Sequence, residues 1–277
     1  MRYKYLIISA VAALTLSLCS HQGFARVLNT ADDFAVLGGS TVTNTGTSIV
    51  DGNLGVDPGS AITGFSGGPG IVNGTVYTAG AVPLQAQTDA TNAYNALSGM
   101  TITSNLTGQD LGNLTLTPGV YHFASSAQLT GPLVLDAGGL NNAVFNFQIG
   151  STLTTASSSS VTLINPGSND GVFWDVGSSA TLGTGTSFKG NILADQSVTL
   201  NTGANVSCGR VIALNGAVTM DTNHITSCTG TIQDLSGGLA LDAHGGAIPT
   251  EPIATPEPAS LSLLGLGLIG LMRLKKK

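Results

Sequence analysis

The sequence has little charge, few aromatic residues and few cysteines. Charged residues make up 9% of the 277 positions and aromatic residues 5%, and there are three cysteines and one tryptophan. A disordered chain combines low hydrophobicity with high net charge, and a hydrophobic content of 42% excludes that class here. Cysteines and histidines never cluster as a zinc site requires, so no metal or cofactor is expected.

Positive charge is scarce in the body of the chain. Of nine Lys and Arg, six lie at the two ends, which leaves Arg26, Lys189 and Arg210 against nearly all of the fifteen acidic residues. Proteins bind phosphate backbones and anionic lipid surfaces by neutralising them with Lys and Arg. The acidic body therefore excludes nucleic acid and anionic membrane surfaces as partners.

The N-terminus has the pattern of a secretory signal peptide. Arg2 and Lys4 precede an apolar stretch over residues 5–18, and Gly23-Phe24-Ala25 offers a small-x-small cleavage site. Residues 1–25 are predicted to be removed by signal peptidase, so that the exported chain starts near Arg26.

The C-terminus has three parts in a fixed order. Pro256, Glu257 and Pro258 are followed by an apolar run over residues 259–272 and then by a basic tail over 273–277. Cytoplasmic Lys and Arg resist translocation, so this end would tether the chain in the inner membrane. The order resembles the PEP-CTERM sorting signal, which an exosortase cleaves in Gram-negative bacteria that make exopolysaccharide. The alternative is an ordinary tail anchor.

These signals define the domain organisation. We expect a signal peptide at 1–25, one folded domain at 26–235, a linker at 236–254 and the sorting signal at 255–277. The linker is predicted to be flexible because it is rich in Gly, Ala and Pro. Cys208 and Cys228 remain as an even pair in an oxidising compartment, which predicts a disulfide.

Short β-branched runs punctuated by Gly and Asn predict a mainly β domain. A Thr-Leu-x-Thr pattern recurs along the chain, as in stacked repeat architectures. We expect Leu129, Leu153, Leu182, Leu200 and Met220 to form one inward column, with Thr152, Thr181, Thr199 and Thr219 in an outward column beside it. A second recurrence at 119–123, 143–147 and 171–175 supplies aromatic residues that would stack inside the coils.

One segment departs from the β pattern. From Pro83 to Leu97, small and apolar residues recur at helical spacing, with Gly99 after the end. This predicts a single helix whose apolar face packs against the flank of the β stack.

The sequence resembles the ice-binding-like family, also known as the domain of unknown function 3494. The resemblance lies in residues 34–44, 51–56, 116–121 and 190–194 and extends from Ala31 to about Thr229. It implies a right-handed discontinuous β-solenoid of triangular section with one long helix alongside. Many members bind ice, so it implies the surface of an ice crystal as the partner.

Better-defined ice-binding faces of the family carry a Thr-Ala/Gly-x-Thr/Asn motif. Residues 202–205 match it, and residues 45–48, 155–158 and 184–187 match it except for a final serine. The resemblance implies the following ice contacts: Thr45, Ser48, Thr155, Ser158, Thr184, Ser187, Thr202 and Asn205.

The sequence bears on two other classes of function. A structural or adhesive protein of the exopolysaccharide matrix would suit the sorting signal alone. An enzyme is not expected, because residues 64–68 match a nucleophile-elbow string but continue into the turn residues Pro69 and Gly70. His122, His224 and His244 are isolated in the sequence.

Overall fold

A computed structural model of the chain describes residues 26–231 and 233–250. The predicted signal peptide at 1–25 and the sorting signal at 255–277 lie outside these residues. The described residues form three parallel sheets of nine, seven and eight strands and a small antiparallel hairpin. A 3₁₀ turn at Asn29–Asp33 precedes the first strand, and one α-helix runs over Ala81–Ser98.

The three sheets are called the helix-side sheet, which packs against the helix, the threonine sheet, which carries a row of threonines, and the third sheet. In spatial order the helix-side sheet contains Val76–Thr78, Asn53–Val56, Phe34–Gly38, Val211–Ala213, Asn191–Ala194, Gly171–Val176, Val144–Ile149, Gly119–Phe123 and Ser104–Asn105. The threonine sheet contains Ala61–Thr63, Thr41–Asn44, Val218–Met220, Val198–Leu200, Ala180–Leu182, Leu153–Thr155 and Ala127–Leu129. The third sheet contains Ile71–Val72, Ile49–Asp51, His224–Thr226, Asn205–Ser207, Ser187–Lys189, Ser160–Ile164, Pro132–Asp136 and Thr115–Leu116.

The three sheets are the sides of a β-solenoid. Each turn of the chain contributes one strand to the helix-side sheet, one to the threonine sheet and one to the third sheet, in that order. Neighbouring coils pair in parallel, at the usual spacing of about 4.8 Å. The prediction of a mainly β, three-sided solenoid is confirmed.

The coils are not stacked in the order of the sequence. The first strand, Phe34–Gly38, pairs on one side with Asn53–Val56 and on the other with Val211–Ala213, near the end of the domain. The helix connects the end of the stack at Val76–Thr78 to the opposite end at Ser104–Asn105, where the continuous run of coils begins. Its 18 residues span roughly 27 Å, about five to six of the eight strand spacings in that sheet.

The predicted helix is present and packs as expected. Ala86, Ala90, Ala93 and Leu97 are fully buried and form one hydrophobic cluster with side chains of the helix-side sheet such as Phe173. The helix C-terminus is held by amide side chains of that sheet. Gln148 Nε2 donates to the carbonyl oxygens of Leu97 at 2.8 Å and Met100 at 2.9 Å. These bonds satisfy carbonyls that a helix end leaves without partners.

The predicted aromatic stack also runs through the interior. Ring centroids of Tyr121 and Phe147 lie 5.4 Å apart, those of Phe147 and Trp174 3.9 Å apart, and those of Trp174 and Phe188 4.8 Å apart. The first three residues occupy one register position in successive coils. Trp174 Nε1 donates to the Lys189 carbonyl at 3.0 Å, so its polar atom is satisfied while the ring is buried.

A buried ionic cluster joins both ends of the domain to the stack. Arg210 has no exposed surface and pairs with Asp234 at 3.1 Å and with Asp32 at 2.8 Å. Burial alone would raise the pKa of Asp234, but Arg210 and the hydrogen bonds outweigh it and hold that pKa below its usual value. Arg26 adds a second cation against Asp234. The cluster therefore keeps Arg210 and Asp234 paired out of water.

The predicted disulfide is present. Cys208 and Cys228 are bonded, with their Cα atoms 4.7 Å apart, and they occupy equivalent corners of adjacent coils. The bond fastens the last coil of the continuous run to the one before it.

The prediction of a flexible linker at 236–254 was wrong for residues 236–250. Ser236 is fully buried, and Leu239–Leu241 pairs with Ala247–Pro249 in an antiparallel hairpin. Leu239 has no exposed surface and packs in the same cluster as Val27 and the helix. The folded domain thus extends to residue 250. Within the described part of the chain, the helix is too polar to qualify as a membrane span.

Asp175 predicts a pH dependence of stability. Burial raises the pKa of its carboxyl group to about 7, although Ser98 Oγ donates to it at 2.7 Å. The folded chain therefore binds a proton between about pH 4 and pH 7 that the unfolded chain has released, so the free energy of unfolding falls as pH rises through that range. Asp175→Asn should be on the order of 2 to 4 kcal/mol more stable than the parent at pH 8 and equal to it at pH 4. Urea titrations at both pH values measure this; equal gains at both would contradict it.

The disulfide yields a second prediction. Closing a loop with a sequence separation of 20 should stabilise the fold by about 3 kcal/mol. The double variant Cys208→Ser, Cys228→Ser should lose that amount in chemical denaturation. Reduction of the parent should cause the same loss, and a reduced parent as stable as the oxidised one would refute the assignment.

Candidate functional site

Six threonines form an unbroken row along the outer face of the threonine sheet. The strand registers place them at one position of six successive coils, with Gln128 at the far end. In spatial order the row is Thr63, Thr43, Thr219, Thr199, Thr181 and Thr154. Side chains on neighbouring strands lie about 4.8 Å apart, so methyls and hydroxyls repeat at that interval.

The hydroxyl groups of this row have no protein partners. Across residues 26–231 and 233–250, none of the six takes part in a side-chain hydrogen bond, and all six are exposed or half-buried. Each hydroxyl therefore remains available to solvent as both donor and acceptor. Threonine is β-branched and has few rotamers, so the row is stiff as well as regular.

A second row of small residues runs beside the first, two residues earlier in each strand. Its members are Ala61, Thr41, Ala217, Ser197, Ser179, Thr152 and Ser126. Four of its five hydroxyl groups bond within the protein. Thr152 Oγ1 donates to Ser126 Oγ at 2.8 Å, and Ser197 Oγ accepts from the Ala217 amide at 3.1 Å. The second row thus braces the sheet beside the free hydroxyls.

The face formed by these two rows, called the threonine face below, carries no charged side chain. Its underside is packed with small and branched apolar residues such as Val42, Val198 and Val218, all fully buried. The result is a rigid, uncharged surface of methyls and hydroxyls.

The residues predicted as ice contacts lie elsewhere, along the corner between the threonine sheet and the third sheet. Thr45, Thr184 and Thr202 are exposed in the corner turns, as is Ser158. Ser187 and Asn205 are exposed on adjacent strands of the third sheet, where they pair in register. The structure therefore brings these six together as an edge that adjoins the threonine face.

The prediction was wrong for the other two residues. Ser48 is fully buried and Thr155 is 2% exposed, so neither can touch a surface outside the protein. Thr155 Oγ1 lies 2.7 Å from Thr186 Oγ1 and accepts from the Gly183 amide at 2.9 Å. Ser48 Oγ donates to Asn44 Oδ1 at 2.6 Å. Both hydroxyls bond within the corner.

The glycines of the motif have a structural role in those turns. Gly185 and Gly203 adopt φ values of +68° and +72°, in the left-handed region that favours glycine. Ser158 and Thr222 adopt the same region at the equivalent corners. The Thr-Gly pairs at 184–185 and 202–203 are therefore explained by the corner itself.

The third sheet presents a less regular surface. Its outer face includes Lys189, Asp51 and His224 among polar and apolar neighbours. His224 Nε2 lies 2.6 Å from Asp51 Oδ2, and hydrogen bonds from Asn73 and His224 lower the pKa of that carboxyl. This mixture of charge and shape lacks the repeat of the threonine face.

Sequence reasoning found part of the threonine row and misplaced the rest. The predicted outward column contains Thr181, Thr199 and Thr219, as the structure does. At the next coil the prediction has Thr152 in the outward column and Leu153 in the inward column, whereas the strand register places Thr154 and Thr155 there. Thr43 and Thr63 were missed because the early coils stack beside the last ones. The sequence does contain a signal for Thr154. When the repeat at 150–155 is shifted by two residues, the alternation of outward and inward side chains continues and Thr154 falls in the outward column.

Residues considered for catalysis do not converge. Residues 64–68 form a turn, with Gly64 and Gly67 at positive φ. Of the described residues, no three His, Cys, Asp or Glu side chains form a group that could hold a metal ion. His122 lies in the helix-side sheet, His224 in the third sheet and His244 beyond the hairpin's first strand.

Comparison with known proteins gives consistent matches over the whole chain. The model of the ice-binding-like family matches residues 36–226, and that of the PEP-CTERM protein-sorting motif matches residues 254–277. An ice-binding protein of Nostoc sp. (strain HG1) is 52% identical over 275 residues, which cover 97% of this chain and 94% of that protein.

Solved structures agree. The crystal structure of an ice-binding protein from an Antarctic biological consortium superposes with a TM-score of 0.69 at 43% identity, covering 73% of this chain and 91% of that one. That of the Antarctic ascomycete Antarctomyces psychrotrophicus gives 0.69 at 36% identity, covering 73% and 98%. With a family match that spans most of the solenoid and relatives this similar, the chain belongs to the ice-binding-like family.

Proposed function

We propose that this chain is an exported ice-binding protein that adsorbs to ice through the threonine face. The observation that carries the proposal is the row of six in-register threonines whose hydroxyls have no partner within the described residues. The ice-binding relatives named above support the same function for this chain.

Adsorption follows from the chemistry of a flat threonine array. Methyl groups hold cage-like water around themselves, and hydroxyls fix the position of that water by hydrogen bonds. Because the side chains are stiff and evenly spaced, the ordered water has a lattice register that can merge with ice. Each contact is weak, but many act together. Adsorbed molecules force the growing crystal front to curve between them, which stops growth.

The exposed corner residues Thr45, Thr184 and Thr202 border the threonine face and would extend its contact with ice at one edge.

A matrix or adhesive role is the second candidate. It is favoured by the sorting motif at 254–277, which suits a surface protein of an exopolysaccharide-producing cell. The regularity and lack of charge of the threonine face favour ice over polysaccharide, whose binding sites are clefts with aromatic or acidic groups.

Export and processing complete the proposal. Signal peptidase would release the chain near Arg26, and an exosortase would remove the C-terminal signal after a transient inner-membrane tether. The mature protein would then lie at the cell surface or outside a Gram-negative cell.

Bulky substitutions on the threonine face test the ice site. Thr181→Tyr and Thr199→Tyr, made together in residues 26–250, should weaken inhibition of ice growth and recrystallisation by roughly tenfold or more, since a loss of 1.4 kcal/mol is tenfold. The tyrosines interrupt the flat array without entering the core, so thermal unfolding should change little.

Two matched controls locate the contact. Thr162→Tyr, at an exposed position of the third sheet, should retain full activity. Thr184→Tyr with Thr202→Tyr should cause a smaller loss than the face variant. If the corner pair abolished activity and the face pair did not, the ice contact would lie at the corner.

A separate test addresses sorting. Glu257→Gln alters the Pro-Glu-Pro motif and should leave the chain uncleaved and in the membrane fraction of an exosortase-containing host. Glu251→Gln, the same change outside the motif, should be processed like the parent. Mass spectrometry of the C-terminus distinguishes the forms, and normal cleavage of Glu257→Gln would exclude this recognition.

A further inference from the structure

The sequence contains two asparagines that are directly followed by glycine, and the structure places them in different surroundings. They are Asn73, followed by Gly74, and Asn215, followed by Gly216. An asparagine of this kind can lose ammonia without an enzyme, when the glycine nitrogen attacks the carbonyl carbon of the asparagine side chain. Glycine permits this because it has no side chain to shield its nitrogen. The reaction needs a free glycine amide and a backbone that can leave its folded position.

Asn215 is held away from this reaction. The Gly216 amide donates to the Gln196 carbonyl at 2.9 Å, so the attacking nitrogen is already engaged. Asn215 Nδ2 donates to the Asp195 carbonyl at 2.9 Å and to the carboxylate of the same residue at 3.0 Å. On the other side, the Gly216 carbonyl accepts from the Gly39 amide at 3.0 Å. Neighbouring coils therefore fix this pair from both sides.

Asn73 lies on the outermost coil, where a neighbouring coil covers only one side. It directly follows the strand Ile71–Val72, which is the last strand of the third sheet. Its backbone amide donates to the Val50 carbonyl at 2.8 Å, but the Gly74 amide has no hydrogen-bond partner among the described residues. Both residues are exposed. A brief opening of this edge therefore suffices to bring the glycine nitrogen to the side chain.

Packing explains why this reactive pair stands here. A Cβ atom on residue 74 would collide with the carbonyl oxygen of Gly52 on the adjacent coil, so the position requires glycine. The side chain of Asn73 is also used, because its Nδ2 donates to Asp51 Oδ1 at 2.7 Å. That hydrogen bond lowers the pKa of the Asp51 carboxyl. Both members of the pair thus hold the outermost coil to its neighbour.

We infer that Asn73 is a site of spontaneous deamidation. The Gly74 nitrogen forms a bond to the carbonyl carbon of the Asn73 side chain, and the bond from that carbon to the amide nitrogen breaks. Ammonia leaves with the proton of the glycine amide. Water then opens the cyclic imide at either carbonyl, which gives aspartate or isoaspartate. No atom is oxidised or reduced, and water is the one co-reactant.

The modification acts on the coil that carries it. A carboxylate replaces an amide that donates to Asp51, so a hydrogen bond is lost and two like charges face each other on neighbouring strands. Like charges directly opposite each other destabilise a sheet. Deamidation therefore loosens the outermost coil. Asn73 lies beside the third sheet, so the modification is independent of the proposed ice contact.

Peptide mapping of residues 26–250, which contain every described strand and the helix, tests the site after incubation in warm, mildly alkaline buffer. Chymotrypsin cleaves after Tyr77 and Met220, and the peptides at 66–77 and 215–220 each contain a single asparagine. In the folded protein Asn73 should convert at least about tenfold faster than Asn215, which corresponds to 1.4 kcal/mol in the free energy of opening. In denaturing urea the two rates should become similar.

Two variants complete the test. Asn73→Gln keeps the amide but lengthens the side chain, which disfavours the five-membered ring, and it should remain unmodified. Asn73→Asp reproduces the aspartate product and should unfold at a lower temperature than the fresh parent at neutral pH. The incubated parent should shift toward it as conversion proceeds.

Conversion of Asn215 as fast as Asn73 in the folded protein would overturn the assignment. So would an Asn73 that stays intact in the folded protein while it converts in urea. An Asn73→Asp variant as stable as the parent would refute the loosening of the outermost coil.

Discussion

Parallel pairing between the first and last coils holds the rest of the structure in place. Val42 pairs with Val218 and Val50 with Ile225, although these partners are more than 170 positions apart in the sequence. This junction joins two blocks of coils into one stack, and it is the point at which the threonine row passes from Thr219 to Thr43. Without it the row would be divided into a piece of two threonines and a piece of four.

The most polar cluster of the interior lies at the same junction. Arg210, from the last coil of the continuous run, pairs with Asp32 just before the first strand and with Asp234 just after the last coil. A buried charge without its partner costs several kcal/mol. The segments that carry Asp32, Arg210 and Asp234 must therefore all be folded in place for any one of them to be stable. The ionic cluster thus braces the joint between the first and last coils, and the disulfide fixes the last coil to the one before it. The continuity of the threonine row depends on that joint.

Local patterns predicted local structure well and long-range register poorly. The helix from Pro83 to Leu97 was readable because its apolar spacing and flanking Gly99 depend only on neighbours in sequence, and the same holds for the aromatic repeats. The position of Thr63 beside Thr43, and of Thr43 beside Thr219, depends on which coils stack together, which no local pattern encodes. The linker prediction failed because Gly and Ala dominate the composition of 236–250, while a few apolar residues such as Leu239 decide its packing. The prediction of ice contacts at the corner was wrong for Ser48 and Thr155 for a similar reason. Small hydroxyl residues suit both a buried position in a turn and an exposed surface, so the sequence alone does not distinguish the two.

The folded tail leaves a short connection between the domain and the sorting motif. The hairpin ends at Pro249, so residues 251–255 alone separate the described domain from the sorting motif. Five residues reach at most about 17 Å. Leu239–Leu241 and Ala247–Pro249 lie on the helix side of the solenoid, away from the threonine face. If the chain is tethered and cleaved as proposed, its tail side would lie toward the bilayer and the threonine face away from it.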